Sequence, residues 1–182
     1  MIEGLLSFNP VLDYAQLVPQ TVYNAVLQGN WSCDKRDFMV AEIDPQYAGG
    51  KELCEKYQID VSQGANCLVV IGIRGQNKSY AACLVPVGYR YDMSGVVRKT
   101  MGVRQVSVAP LDFVISQTQM EYGSITPIGL PNQWSIFIDP AVMAHKHIVV
   151  GGGLVKSKLC IPSSVLLDIP NSTILEGLAK SI

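Results

Sequence analysis

The chain has 182 residues, of which 48% are hydrophobic and only 16% charged, and its formal net charge is −1. That length and apolar content can bury one substantial core, so one main folded unit is expected. The near-neutral balance argues against a dedicated nucleic-acid binder, DNA-binding proteins included, and leaves room only for a local basic patch. Five scattered cysteines (Cys33, Cys54, Cys67, Cys83 and Cys160) show no CxxC or Cys/His ligand spacing, and the two histidines sit together as His145 and His147. A disulfide framework and a structural zinc site are therefore not expected, nor is any cofactor, and the thiols read as small apolar side chains in a reducing compartment.

The opening "MIEGLLSFNP" has no basic n-region and no apolar run of signal length. No stretch approaches the roughly 20 apolar residues needed to span a bilayer, so a soluble, cytoplasmic protein without membrane contact is expected. Residues 1–32 read as an N-terminal helical extension packed on a body of residues 33–182. Within it, Pro19 suits the first turn of a helix, and Val18, Val22 and Val26 fall on one face with Leu27 beside them.

"FMVAEID" (38–44) then predicts a strand, and Gly49-Gly50 a turn before a short helix over 51–58. Residues 67–87 hold two strands joined by the polar "RGQNKS", a hairpin whose second arm ends near Pro86. Asp92 can cap a helix through "MSGVVRKTM", ended by Gly102. "RQVSV" reads as a short strand, and Pro110 opens a helix carrying Leu111, Val114 and Ile115. The glycines and prolines of "YGSITPIGLP" (122–131) exclude helix there, and strands are expected at 135–138, 147–151 and 158–161. A C-terminal helix is expected from Ser172 through "TILEGLAK". Strands mixed irregularly with short helices predict an α+β fold, with a mixed, mostly antiparallel sheet and short helices packed around it.

Few motifs carry chemistry on their own. "HIVVGGGLVKSK" (147–158) runs a strand into three glycines and two lysines. Such a segment is either a tight turn or a backbone concavity that binds an anion. Its spacing is neither GxxxxGK[ST] nor GxGxxG, so nucleotide sites of those kinds gain little support. There is no GxSxG elbow, and Cys67 would need a base and a lowered pKa to act as a nucleophile. The basic run Arg98-Lys99 with Arg104 reads as a solvated face. Asn66, at the mouth of the apolar run Leu68–Ile71, is either a turn device or the edge of a site.

Taken in order, "EIDP", "GANCLVVIGIRG…YAACLVPV", "VRKTMGVRQVSVAP", "EYGSITPIGLP", "IFID" and "IVVGGGLVKSKL" resemble the YbaK/EbsC family over about residues 38–168. These are free-standing aminoacyl-tRNA deacylases similar to the editing insertion domain of prolyl-tRNA synthetases. The resemblance implies a YbaK-like fold and a translation-fidelity hydrolase acting on the ester bond of a mischarged tRNA, with the tRNA acceptor end as partner and no metal. It implies that Asn66, Gly129 and Gly152 serve catalysis, and that Thr126, Gly151, Gly153 and Lys156 bind substrate. Well-known editing members carry a lysine where this chain has Asn66, and some carry a tyrosine where it has Ala41. The alternative is a non-catalytic binding module of the same fold that recognises an aminoacyl-adenosine-like ligand, a tRNA end or a protein.

Overall fold

The computed structural model describes residues 4–182, and the first three residues of the expected N-terminal extension lie outside the described residues. In chain order the elements are β1 (Asn9–Pro10), α1 (Gln20–Gln28), β2 (Met39–Glu42), α2 (Gly50–Tyr57), β3 (Ala65–Arg74), β4 (Asn77–Pro86) and β5 (Tyr89–Tyr91). They continue with α3 (Arg98–Met101), β6 (Gln105–Val108), α4 (Leu111–Thr118), β7 (Ser135–Ile138), α5 (Pro140–Met143), β8 (His147–Gly151), β9 (Ser157–Pro162), β10 (Ser172–Ile174) and β11 (Ala179–Ser181). One sheet runs β10-β7-β4-β3-β6, a second runs β1-β2-β9-β8, and β5 pairs with β11 in a small ribbon. Among the strands of the described residues, β10–β7 and β7–β4 pair in parallel and the other pairs are antiparallel. The fold is α+β with mostly antiparallel pairing, as the irregular mixture of strands and helices predicts.

Alternation explains how the sheets share a core. Leu159 and Ile161 of β9 and Ile148 and Val150 of β8 point into the same buried cluster as Val69, Ile71, Ala82 and Leu84 of the other sheet. Helix α1 enters that cluster through Val22 and Val26, both 0% exposed, while Leu27 faces solvent. Tyr80, Phe113 and Trp134 stack at centroid distances of 4.5–6.2 Å and tie α4 to β4. Of the three apolar residues expected on α4, only Val114 is buried, and Leu111 and Ile115 stay outside.

Among the described residues the two sheets are bridged at one parallel pair, Gly64 to Val149. The expected helix after Asp92 forms as a wide π-type turn over Met93–Val97 followed by α3, with the Asp92 carboxylate accepting from Gly95 N (3.2 Å) and Val96 N (3.1 Å). Gly102 ends it at φ 64°.

The expected C-terminal helix does not form: β10 and β11 occupy its place. Thr173 and Ile174 are β-branched, and Ser172–Ile174 add a parallel strand beside Ile136–Ile138 of β7. Gly177 turns the chain at φ 75°, a conformation that breaks a helix.

Asp139 secures that C-terminal tail. Its carboxylate caps α5 through Ala141 N (3.0 Å) and accepts from Ala179 N (2.8 Å), so one buried side chain satisfies two elements. Asp139→Ala is expected to lower the unfolding free energy by about 2 kcal/mol, and Asp139→Asn by less, because the amide retains one acceptor oxygen. Urea midpoints measure the difference; equal midpoints for all three proteins would show that the tail is held elsewhere.

Candidate functional site

Beside the Gly64–Val149 bridge lies a cavity of about 300 Å³, lined by Ala65–Val69 of β3 and Gly151 of β8. Its apolar wall comes from Ala65 and Val69 of β3, Ala109 and Val114 around the start of α4, and Ile125 of the "YGSITPIGLP" loop. Its polar groups are Asn66, the Gly151 backbone and Lys158, which enter from the seam between the sheets. Val108, Leu111 and Tyr122 form an exposed apolar rim.

Asn66 is half-buried, and among the described residues its side chain forms no hydrogen bond. Its Oδ1 packs on the N-terminus of α2: a Cβ added to Gly50 would stand 3.1 Å from it and 2.8 Å from Val87 Cγ2. Glycine at position 50 thus lets the 48–50 loop close against the cavity. The neighbouring Cys67 thiol is pushed far up by burial and by the nearby Cys83, which burial itself raises to about 12. Both thiols stay protonated near neutral pH and are poor nucleophiles.

Lys158 was not among the side chains chosen from the sequence. It is only 6% exposed, stands opposite Gly151 and Ala41 in the ladder, and donates from Nζ to the Ala48 carbonyl (2.8 Å). Burial pulls its pKa down from 10.5 to about 8, with the nearby Cys54 opposing the shift. No carboxylate stands among the lining residues. The preceding Lys156 lies just outside β9, is half-exposed and meets Ile43 N only through its carbonyl (2.8 Å). One available signal was "SKLCIP", in which a lone lysine interrupts an apolar strand. Leu159 and Ile161 point between the sheets, so Lys158 takes the opposite face, which Cys160 shares with Cys54 of α2.

The glycines separate into two groups. Gly151 lines the cavity, and a Cβ there would stand 2.5 Å from the carbonyl oxygens of Ser124 and Ile125, so only glycine permits this contact. Gly152 packs on Ser157, and Gly153 (φ 86°) packs on Pro19, exchanging backbone bonds with Ser124 O and Glu121 N (2.8 Å each). Gly129 (φ 86°) abuts the Thr21 carbonyl of α1, where a Cβ would stand 2.7 Å away, and lines a separate surface cleft.

Thr126 is fully buried, and its hydroxyl, like that of Ser124, has no hydrogen-bond partner among the described residues. The structure therefore brings Asn66 and Gly151 into one cavity with Lys158, and leaves Gly129, Gly152, Gly153, Thr126 and Lys156 outside its lining. His147 starts β8, at the opposite end of that strand from Gly151. Among the described residues no helix is long and apolar enough to cross a membrane.

The model of the aminoacyl-tRNA editing domain family matches residues 44–169. A candidate trans-editing enzyme for prolyl tRNA synthetase has a similar structure, with a TM-score of 0.63 at 19% identity over 76% of this chain and 85% of that one. A hypothetical protein is similar at 0.67 and 16% identity, over 79% and 91% of the two chains. A scaffold used for computational grafting of linear epitopes is similar at 0.69 and 18%, over 86% and 95%. At these identities the likeness is one of fold. No match is found among curated proteins.

The depressed pKa of Lys158 has a consequence for stability. Below about pH 8 both the folded and unfolded chains carry the proton, and the folded state bears the full cost of burying it. Between about 8 and 10.5 the folded lysine is neutral while the unfolded one is still charged, so the cost disappears as pH rises. Lys158→Met is expected to be more stable than wild type below pH 8, by up to about 3 kcal/mol less the loss of the Ala48 bond. Urea unfolding at pH 7 and pH 10 checks this; the advantage of the variant should shrink at the higher pH.

Proposed function

Because the chain belongs to the aminoacyl-tRNA editing domain family, we propose that it is a trans-acting deacylase, hydrolysing the ester between a wrong amino acid and a tRNA 3′ end. The observation that carries this reading is the cavity itself: about 300 Å³, lined by Asn66, the Gly151 backbone and Lys158 together with apolar side chains. That arrangement suits an aminoacyl ester, whose carbonyl and ribose need hydrogen bonds while a small side chain needs apolar contact. In this reading the protein works beside translation in the cytoplasm.

An ester is already activated, so the site has only to position it, admit water and stabilise the transition state. Water adds to the carbonyl carbon, oriented in this reading by the tRNA's own 2′-hydroxyl, and the ester C–O bond then breaks. The Asn66 carboxamide, with a donor and an acceptor both unspent among the described residues, is placed to hold the ribose or carbonyl. Asn66 in place of the lysine of well-known editing members retains hydrogen bonding and gives up a charge.

Tyr122, 77% exposed at the cavity rim beside Val108 and Leu111, offers a face on which the terminal adenine can stack. Selection among amino acids would rest on the size of the apolar wall, a filter that discriminates only modestly between side chains differing by a methylene.

The pure protein, incubated with a panel of mischarged tRNAs, is expected to accelerate deacylation of at least one carrying a small side chain. Acceleration of none would overturn the reading, and binding of an aminoacyl-adenosine analogue without turnover would point instead to a binding module. Asn66→Ala is expected to lower kcat/KM roughly tenfold, the value of a hydrogen bond or two, with little change in Tm because the side chain has no hydrogen-bond partner among the described residues. Tyr122→Ala is expected to raise KM for the tRNA about tenfold and leave kcat nearly unchanged, as loss of one stacked base would.

A further inference from the structure

Resting on the deacylase reading above, we infer that Lys158 is a catalytic residue of the cavity, its ammonium receiving the negative charge that forms on the ester carbonyl oxygen as water attacks. The geometry begins with donors. A lysine ammonium has three N–H groups; one goes to the Ala48 carbonyl at 2.8 Å, and two remain for a ligand in the cavity that Lys158 lines.

Among the described residues no ion pair neutralises this charge. The titratable groups around it are Cys54 on α2 and, lining the same cavity, Cys67 on β3 and Tyr91 on β5, and burial raises the proton affinity of all three. Each is therefore neutral at pH 7. Tyr122 stands at the rim, Asn66 is an uncharged amide, and the lining includes no carboxylate. A cation this deeply buried without an anion is costly, and a methionine would fill the same space without that cost. The arrangement fits a site whose anion arrives with the reaction.

Position supports the same role. Lys158 pairs in the ladder with Gly151, and its Nζ meets the 48–50 loop on which Asn66 also packs. The polar groups thus gather where the carbonyl would lie, with the apolar wall left for the side chain. In the step itself, the water oxygen bonds to the carbonyl carbon and the C=O π electrons move to oxygen, where the ammonium holds them. The intermediate collapses, the ester C–O bond breaks, and the ribose oxygen leaves with the proton given up by the water. Lys158 gains and loses no proton over the cycle.

The test compares wild type and Lys158→Met on a tRNA that wild type deacylates, across pH 6.5–9.5, after subtraction of spontaneous hydrolysis. Loss of an oxyanion donor predicts a fall in kcat of about 10²-fold. The enzymatic rate of wild type should decline above about pH 8 as the ammonium deprotonates. The variant should lack that limb while its Tm is equal or higher, which separates lost chemistry from lost folding. A wild type that edits while Lys158→Met matches its kcat and pH profile overturns this assignment alone. A wild type that deacylates none of the mischarged tRNAs overturns the deacylase reading together with it.

Discussion

The contact between Gly64 and Val149 is small, yet the site depends on it. It joins the residue just before β3 to the middle of β8 and, among the described residues, is the one parallel bridge between two sheets that otherwise pair within themselves. Sheets twist, so two strands pinned at one point must splay beyond it, and the gap is filled either by side chains or by a ligand. Here Val150 turns into the core, the cavity lining next to the pin is small or polar (Ala65, Asn66 and Gly151), and the gap stays open as the cavity. Gly64 is held from the other side as well, because its carbonyl accepts from Val87 N at 2.9 Å and a Cβ would stand 2.8 Å from Val87 Cγ2. The opening of the cavity is therefore a consequence of backbone packing at a glycine.

The same economy explains why the glycine-rich segment performs two tasks. Gly151 belongs to the cavity, whereas Gly153, two residues later, lets Pro19 and the 121–124 turn close over the end of β8. Gly129 does the equivalent for α1 at Thr21. The N-terminal segment thus meets the fold through glycines whose side-chain space it occupies, and Val22 and Val26 of α1 enter the main core beside them. A substitution at Gly129 or Gly153 would first disturb the seating of residues 19–22, whereas one at Gly151 would first disturb the cavity wall.

Much of this was legible in the residues. The hairpin at 67–87, the strand at 39–42 and α1 follow from alternation, turn residues and a valine spacing, all local signals. Asn66 was legible as an anomaly, a polar side chain at the mouth of an apolar strand. The C-terminal strands were not: "TILEGLAK" reads as helix until the free edges of β7 and β5 are known, because strand pairing is a tertiary contact with no local signature. Lys158 escaped for a related reason. Lys156 and Lys158 are two residues apart and alternation alone gives them the same face, so choosing between them requires knowing that β9 begins at Ser157 and that α2 covers the face of Lys158, and neither is a local signal.

The placement of charge links these points. Family resemblance leads one to expect a lysine at position 66, and the structure has a neutral amide there and an ammonium at 158, both against the 48–50 loop. One cavity of about 300 Å³ cannot hold two ammoniums cheaply, since like charges at short range in a dry site disfavour each other's ionised form. With Lys158 already depressed to about 8 by burial alone, a second cation nearby would drive it toward the neutral amine at physiological pH. Asparagine at 66 avoids that conflict: it retains hydrogen bonding at the strand mouth and leaves Lys158 charged. The amide and the buried lysine therefore read as two halves of one arrangement, in which the cavity's single positive charge enters from β9 instead of β3.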